Sequence, residues 1–210
     1  MIALNSTAQL TPKAQATLEF ISTVGPRHIL SGQHNYASVG NTYTRLVSDT
    51  LNRTPLLWGS DFSFSADATA QERYFHCGPL NINDPGLPDD QRKVINVSVA
   101  AARQRMVQTA MEQYERGHII TLMWHCPFPS SGDRGTYDTV WAMEDRPGPD
   151  QWEELVTPGT RLNAQWEEGA DRIAGHLKRF RDADIPVLWR PYHEMNGVWF
   201  WWCNQRGEFG

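Results

Sequence analysis

The sequence predicts an α/β fold on a parallel sheet, and within that class a (β/α)8 TIM barrel of which about the first four βα units lie in these 210 residues. Three observations lead there. Short apolar runs alternate with amphipathic helical patterns, as right-handed βαβ crossovers require. Residues able to do chemistry follow the C-terminal end of each run: Gln33-His34, Asp61-Phe62, His125-Cys126-Pro127 and His193-Glu194. No glycine-rich phosphate loop follows the first run, where Ser31-Gly32-Gln33-His34 stands instead, so an open nucleotide-binding sheet is disfavoured.

The elements follow in order. Thr11-Pro12 is a helix-start pair, and Ala14, Leu18 and Ile21 recur at helical spacing up to Gly25-Pro26, which predicts a helix over about 12–24. His28-Ile29-Leu30-Ser31-Gly32 reads as the first strand, and Tyr43, Leu46, Val47, Thr50 and Leu51 mark a second helix. Pro55-Leu56-Leu57-Trp58-Gly59 is a second strand, running to Asp61. From Phe62 to Gln91 the chain is rich in Pro, Gly, Asn and Asp and reads as a long connection. Val99, Ala102, Met106, Ala110 and Tyr114 share a helical face, Gly117 is placed to end that helix, and His118 to Trp124 is a third strand. A second long loop spans His125 to about Pro158. Leu162, Trp166, Ile173, Leu177 and Phe180 then mark a fourth helix, and Ile185 to Trp189 a fourth strand.

Composition narrows the function. With 40% hydrophobic and 20% charged residues the chain is globular, and a net charge of −5 without a Lys/Arg-rich run gives no footprint for nucleic acid or an anionic membrane. Nine tryptophans, with Trp199, Trp201 and Trp202 nearly adjacent, suit a neutral sugar, whose C–H faces pack on aromatic rings. Cys77, Cys126 and Cys203 are far apart and odd in number, so no disulfide framework is indicated. The start of the chain has neither a charged n-region nor an apolar h-region, and no run is long enough to span a bilayer.

Glu194, at a strand end beside His193 and four residues after Arg190, is placed for general acid/base work, although an ion pair bracing a barrel rim would use the same residues. A zinc-protease reading of His193-Glu194 fails, because the second histidine would fall at Gly197. His76-Cys77 and His125-Cys126 lack structural-zinc spacing, so no metal and no other cofactor is expected. A Gly-x-Ser-x-Gly elbow and a cysteine-protease signature are also missing, which leaves carboxylate chemistry.

The run Arg190-Pro191-Tyr192-His193-Glu194-Met195-Asn196-Gly197-Val198-Trp199-Phe200-Trp201-Trp202 resembles the fourth-strand motif of glycoside hydrolase family 26, a family of β-mannanases. Ser31-Gly32-Gln33-His34, Trp58-Gly59-Ser60-Asp61-Phe62 and Leu122-Met123-Trp124-His125 match in the expected order, so the resemblance covers essentially the whole chain. It implies retaining endo-hydrolysis of β-1,4-mannosidic linkages by two glutamates. Glu194 would be the general acid/base, His193 and His125 would contact the sugar near the cleavage point, and Trp199 would stack on a bound ring. Arg190 would hold the rim carboxylates in place. Trp141, Trp152, Trp201 and Trp202 could line the sugar or simply pack.

The resemblance also implies a nucleophilic glutamate after a seventh strand, about 5–5.5 Å from the acid/base. Glu144, Glu153, Glu154 and Glu208 do not follow a strand, so the span 1–210 is expected to be a single catalytic-domain fragment that lacks its nucleophile and is inactive alone. Its open strand edges would need the C-terminal half of the barrel, or a second copy, to cover them. The expected partner is a β-mannan or related β-glycan, and the resemblance implies secretion although the chain shows no signal peptide. The same family includes β-1,3-xylanases and mixed-linkage β-glucanases, and a non-catalytic β-glycan-binding module would keep the aromatic rim alone.

Overall fold

A computed structural model describes residues 10–35, 40–65, 72–75, 78–81, 99–134, 140 and 147–203. Helix α1 (Pro12–Val24) starts where Thr11 accepts the Ala14 amide at 3.3 Å and ends where the Gly25 amide bonds the Ile21 carbonyl. None of its residues is buried. Lys13 tethers it instead, 3.6 Å from Asp184 and 5.9 Å from the Tyr114 ring centroid.

Strand β1 is Gly32–His34, later than the run at 28–32 predicted from sequence. Its partner β2 (Leu57–Asp61) explains the shift: Gly32 pairs with Leu57, and continuing that register backward sets Leu30 opposite Pro55, which has no N–H to donate. Ile29 consequently lies 97% exposed outside the sheet. Between the two strands runs α2 (Thr42–Leu51), anchored by Asn35, whose side chain donates to the Thr44 hydroxyl at 2.7 Å and accepts the Thr44 amide at 3.0 Å.

The span read as a long connection contains a small antiparallel sheet of β3 (Phe64–Ser65), β4 (Glu72–Phe75) and β5 (Gly78–Asn81), in that order. Strands this short carry no readable alternation, and Gly78-Pro79 has turn composition. Pro79 is tolerated because β5 is an edge strand. Helix α3 (Val99–Glu115) leads into β6 (Ile119–Trp124). The second long loop holds a 3-10 helix (Pro129–Arg134) and α4 (Pro149–Val156), so Trp152, Glu153 and Glu154 are helical. Glu154 accepts the Leu162 amide at 3.1 Å, in the first turn of α5 (Arg161–Asp182). Strand β7 (Val187–Pro191) follows.

The main sheet is parallel throughout, in the order β1-β2-β6-β7. Its register puts Trp58, Ile120 and Val187 in one lateral row and Ser60, Leu122 and Trp189 in the next, on the same face. Trp58, Ile120 and Leu122 are at most 1% exposed, packed in one core with Met106, Val107 and Ala110 of α3 and Leu162, Ile173 and Phe180 of α5. Arg103, also buried, donates to the Phe62 carbonyl at 2.9 Å. The opposite face carries Gly59, Thr121 and Leu188, then Asp61, Met123 and Arg190. Parallel strands with their helices gathered on one face form an arc of a (β/α)8 barrel, so this second face is the barrel interior.

Candidate active site

The C-terminal ends of β2, β6 and β7 meet at one rim. After β7 the strand alternation stops, because Tyr192 and Glu194 both take left-handed backbone conformations, with φ of 48° and 60°. Side chains other than glycine and asparagine adopt these values rarely, and they persist where the surroundings enforce them. Tyr192 turns to α5, where its hydroxyl accepts the Trp166 indole N–H at 2.5 Å, and burial pushes the phenol above its ordinary value. The loop is pinned from beyond. Trp202 donates to the His193 carbonyl at 3.0 Å, while the Glu194 carbonyl accepts the Gly197 amide at 2.8 Å and the Cys203 thiol at 3.0 Å.

This pinning leaves the Glu194 side chain at the surface, where it accepts the Trp199 indole N–H at 2.6 Å. Gly197 makes that geometry possible. A Cβ there would lie 2.7 and 2.8 Å from two Trp199 ring atoms and 3.0 Å from the Glu194 carbonyl oxygen.

One strand away, His125 is fully buried and its Nδ1 bonds Oδ2 of Asp61, itself 2% exposed. The other Asp61 oxygen, Oδ1, accepts the Ser63 amide at 2.7 Å and the His125 amide at 3.4 Å, and the Ser63 hydroxyl donates to the His125 carbonyl. The His193 ring meets the His125 ring edge-on, centroids 4.1 Å apart at 88°, and Phe200 packs on His125 at 5.0 Å. Burial, and secondarily the charge of His125, lower the pKa of His193 to about 4; Asp61 and Glu194 oppose the shift and Arg190 adds to it. His34, also on the interior face, is likewise held below its ordinary value by burial. Both imidazoles are therefore neutral near pH 7, when they can accept as well as donate hydrogen bonds.

Of the residues singled out from sequence, Glu194, His193, Trp199 and His125 come together at this rim. Arg190 lies on the interior face in register with Met123, its guanidinium 3.8 Å from the Met123 sulfur. Among the described residues it forms no ion pair with a carboxylate. Trp201 and Trp202 are buried, at 3% and 5% exposure, and Trp201 donates to the Cys126 carbonyl at 2.7 Å. Trp152 packs beside Trp201 with centroids 6.3 Å apart. These three support the loop from behind. Trp141, Glu144, Glu208 and His76-Cys77 lie outside the described residues. Cys126 and Cys203 are buried thiols not joined in a disulfide, and no group of His, Cys, Asp or Glu among the described residues could hold a metal ion. No described helix is long and apolar enough to cross a membrane.

In the sequence Asp61 stands out only as a strand-end residue without a role, and Gly197 only as a motif position that excludes a zinc site. A buried aspartate demands partners, which was the available signal; which partners depends on β2 and β6 lying side by side.

Comparison with known proteins agrees with this geometry. The model of glycosyl hydrolase family 26 matches residues 90–208. Mannan endo-1,4-beta-mannosidase A of Piromyces sp. is 29% identical over 200 residues, covering 92% of this chain and 27% of that protein. The solved structure of GH26A from Muricauda sp. MAR_2010_75 superposes with a TM-score of 0.73 at 30% identity, covering 96% of this chain and 55% of its own. A β-mannanase from a symbiotic protist of the termite Reticulitermes speratus, solved with a gluco-manno-oligosaccharide, superposes with a TM-score of 0.66 at 23% identity, covering 92% of this chain and 52% of its own. The chain thus spans about a quarter of the Piromyces protein and about half of each solved one. With the family pattern extending over more than half of its residues, the chain belongs to glycosyl hydrolase family 26.

Proposed function

We propose that the protein carrying this chain is a retaining endo-hydrolase of β-1,4-mannosidic linkages, with Glu194 as its general acid/base. The observation that carries the reading is the Glu194 carboxyl itself: exposed at the rim, on a left-handed backbone, and oriented by the Trp199 indole. Breaking a glycosidic bond needs a carboxyl that protonates the departing oxygen and then, ionised, deprotonates the incoming water. Trp199 serves the second step, since its N–H stabilises the carboxylate and fixes its direction. Neutral His193 borders the same opening, packed against the buried His125 ring, and would hydrogen-bond sugar hydroxyls, while half-buried Trp199 would take the C–H side of a ring. Arg190, on the interior face, would keep positive charge near the rim carboxylates.

The reading assigns the nucleophile to a glutamate outside these 210 residues. The described carboxylates at the end of β2 and in the loop after β6 do not fit: Asp61 is buried and committed to His125, and Glu153 and Glu154 lie on α4. Residues 1–210 alone are then a catalytic-domain fragment that releases no sugar. The C-terminal half of the barrel, or a second copy, would cover the free edges of β1 and β7. A secreted location fits a polysaccharide substrate.

The test is reducing-sugar release by the full-length protein on galactomannan, β-1,3-xylan and barley glucan in parallel. Preference for galactomannan is expected. Preference for either other polymer would reassign the substrate within the family, and binding without release from any of the three would make the rim a binding module. Sustained release by residues 1–210 alone would place the nucleophile within them.

A further inference from the structure

We propose that Asp61 is a positioning residue for this rim: it holds the ring hydrogen of His125 on Nδ1 and so fixes the imidazole on which His193, the neighbour of Glu194, packs. The inference rests on the reading of the rim as a β-glycan cleft and adds to it a residue on another strand. An ionised carboxylate only accepts hydrogen bonds, and Oδ2 of Asp61 lies against Nδ1 of His125. An Nδ1 without hydrogen would set lone pair against lone pair in a site where Asp61 is 2% and His125 0% exposed. Oδ1 has its own fixed donors, the amides of Ser63 at 2.7 Å and His125 at 3.4 Å, so Oδ2 is the oxygen left for the ring. The imidazole is held from its other sides by His193 and Phe200, and the Ser63 hydroxyl ties the His125 carbonyl to the end of β2. A carboxylate that fixes the tautomer of a functional imidazole is a recurrent device in enzymes.

This geometry gives Asp61→Asn a directional effect. The asparagine oxygen must stay with the two backbone amides, which can only donate, so its NH2 group faces Nδ1 and drives the ring hydrogen to Nε2. The experiment is long-range 15N–1H correlation of the histidine rings in the full-length protein and in D61N, with kcat and KM measured on galactomannan. Expected are the Nδ1–H pattern for His125 in the parent, the Nε2–H pattern in D61N, and a fall in kcat of about 10- to 100-fold, as for loss of a charge-assisted hydrogen bond. An unchanged tautomer in D61N would overturn the proposal even if turnover fell, because a merely structural loss leaves the ring pattern alone. A changed tautomer with unchanged turnover would overturn the positioning role while leaving the glycosidase reading intact, which separates the two failures. If D61N does not fold, the parent decides: hydrogen on Nε2 overturns the proposal, and hydrogen on Nδ1 supports it.

Discussion

The Trp199 indole N–H lies 2.6 Å from Oε2 of Glu194, five residues earlier in the same loop, and the two side chains meet across a turn closed by the Gly197 amide on the Glu194 carbonyl. The proposed proton donor is thus held by its own loop and not by a neighbouring strand.

Gly197→Ala is expected to disturb the site without unfolding the barrel. The added methyl would stand 2.7 and 2.8 Å from the indole ring, which has to swing away from Glu194. Loss of a hydrogen bond to a charged group costs about 1.5–3 kcal/mol, so kcat/KM on mannan should fall by about 10- to 100-fold. Full activity with an unchanged Trp199 fluorescence spectrum would show that the turn has room to spare.

Trp199 and Trp202 should respond in opposite ways. Trp199→Phe keeps an aromatic face but deletes the N–H on Glu194, and should lower activity while moving Tm little. Trp202 is 5% exposed, stacks on Phe200 at 4.5 Å and donates to the His193 carbonyl. Trp202→Ala should therefore cost about 3–5 kcal/mol of stability, read as a lowered denaturation midpoint. A Trp199→Phe variant less stable than Trp202→Ala would reverse these assignments.

His193 makes stability depend on pH. Its pKa is about 4 in the fold against 6.5 in a free chain, so between those values the unfolded state binds more protons. Stability from this residue is present above pH 6.5 and lost as the pH falls toward 4; His34 acts in the same direction. Tm should drop over that window, and His193→Asn should flatten the drop. An equally steep profile in the variant would show that other groups control the acid limb.

Much of this was legible in the sequence because it is local. Helical periodicity marked α1, α3 and α5, and the unbroken motif from Arg190 to Trp202 marked the loop that presents Glu194. What escaped was non-local. The start of β1 depends on its register with β2 and on Pro55, neither visible in the run at 28–32. The pairing of Asp61 with His125 joins positions 64 residues apart and exists only once β2 and β6 are neighbours. Trp201 and Trp202 look identical to a sugar-facing tryptophan in sequence; burial separates them from Trp199. The placement of Arg190 beside Met123 likewise follows from strand register, which residue spacing within one motif does not encode.

The central claim concerns Glu194, and Glu194→Gln in the full-length protein tests it most directly. The amide is close in size and can still accept from Trp199, but it cannot deliver a proton to the glycosidic oxygen or remove one from water. Turnover of unactivated mannan should fall by about 10²- to 10⁴-fold, the range for loss of a general acid/base, with manno-oligosaccharide affinity by calorimetry retained. Turnover within a few-fold of the parent, at unchanged affinity, would contradict the account and move the acid/base role to another residue.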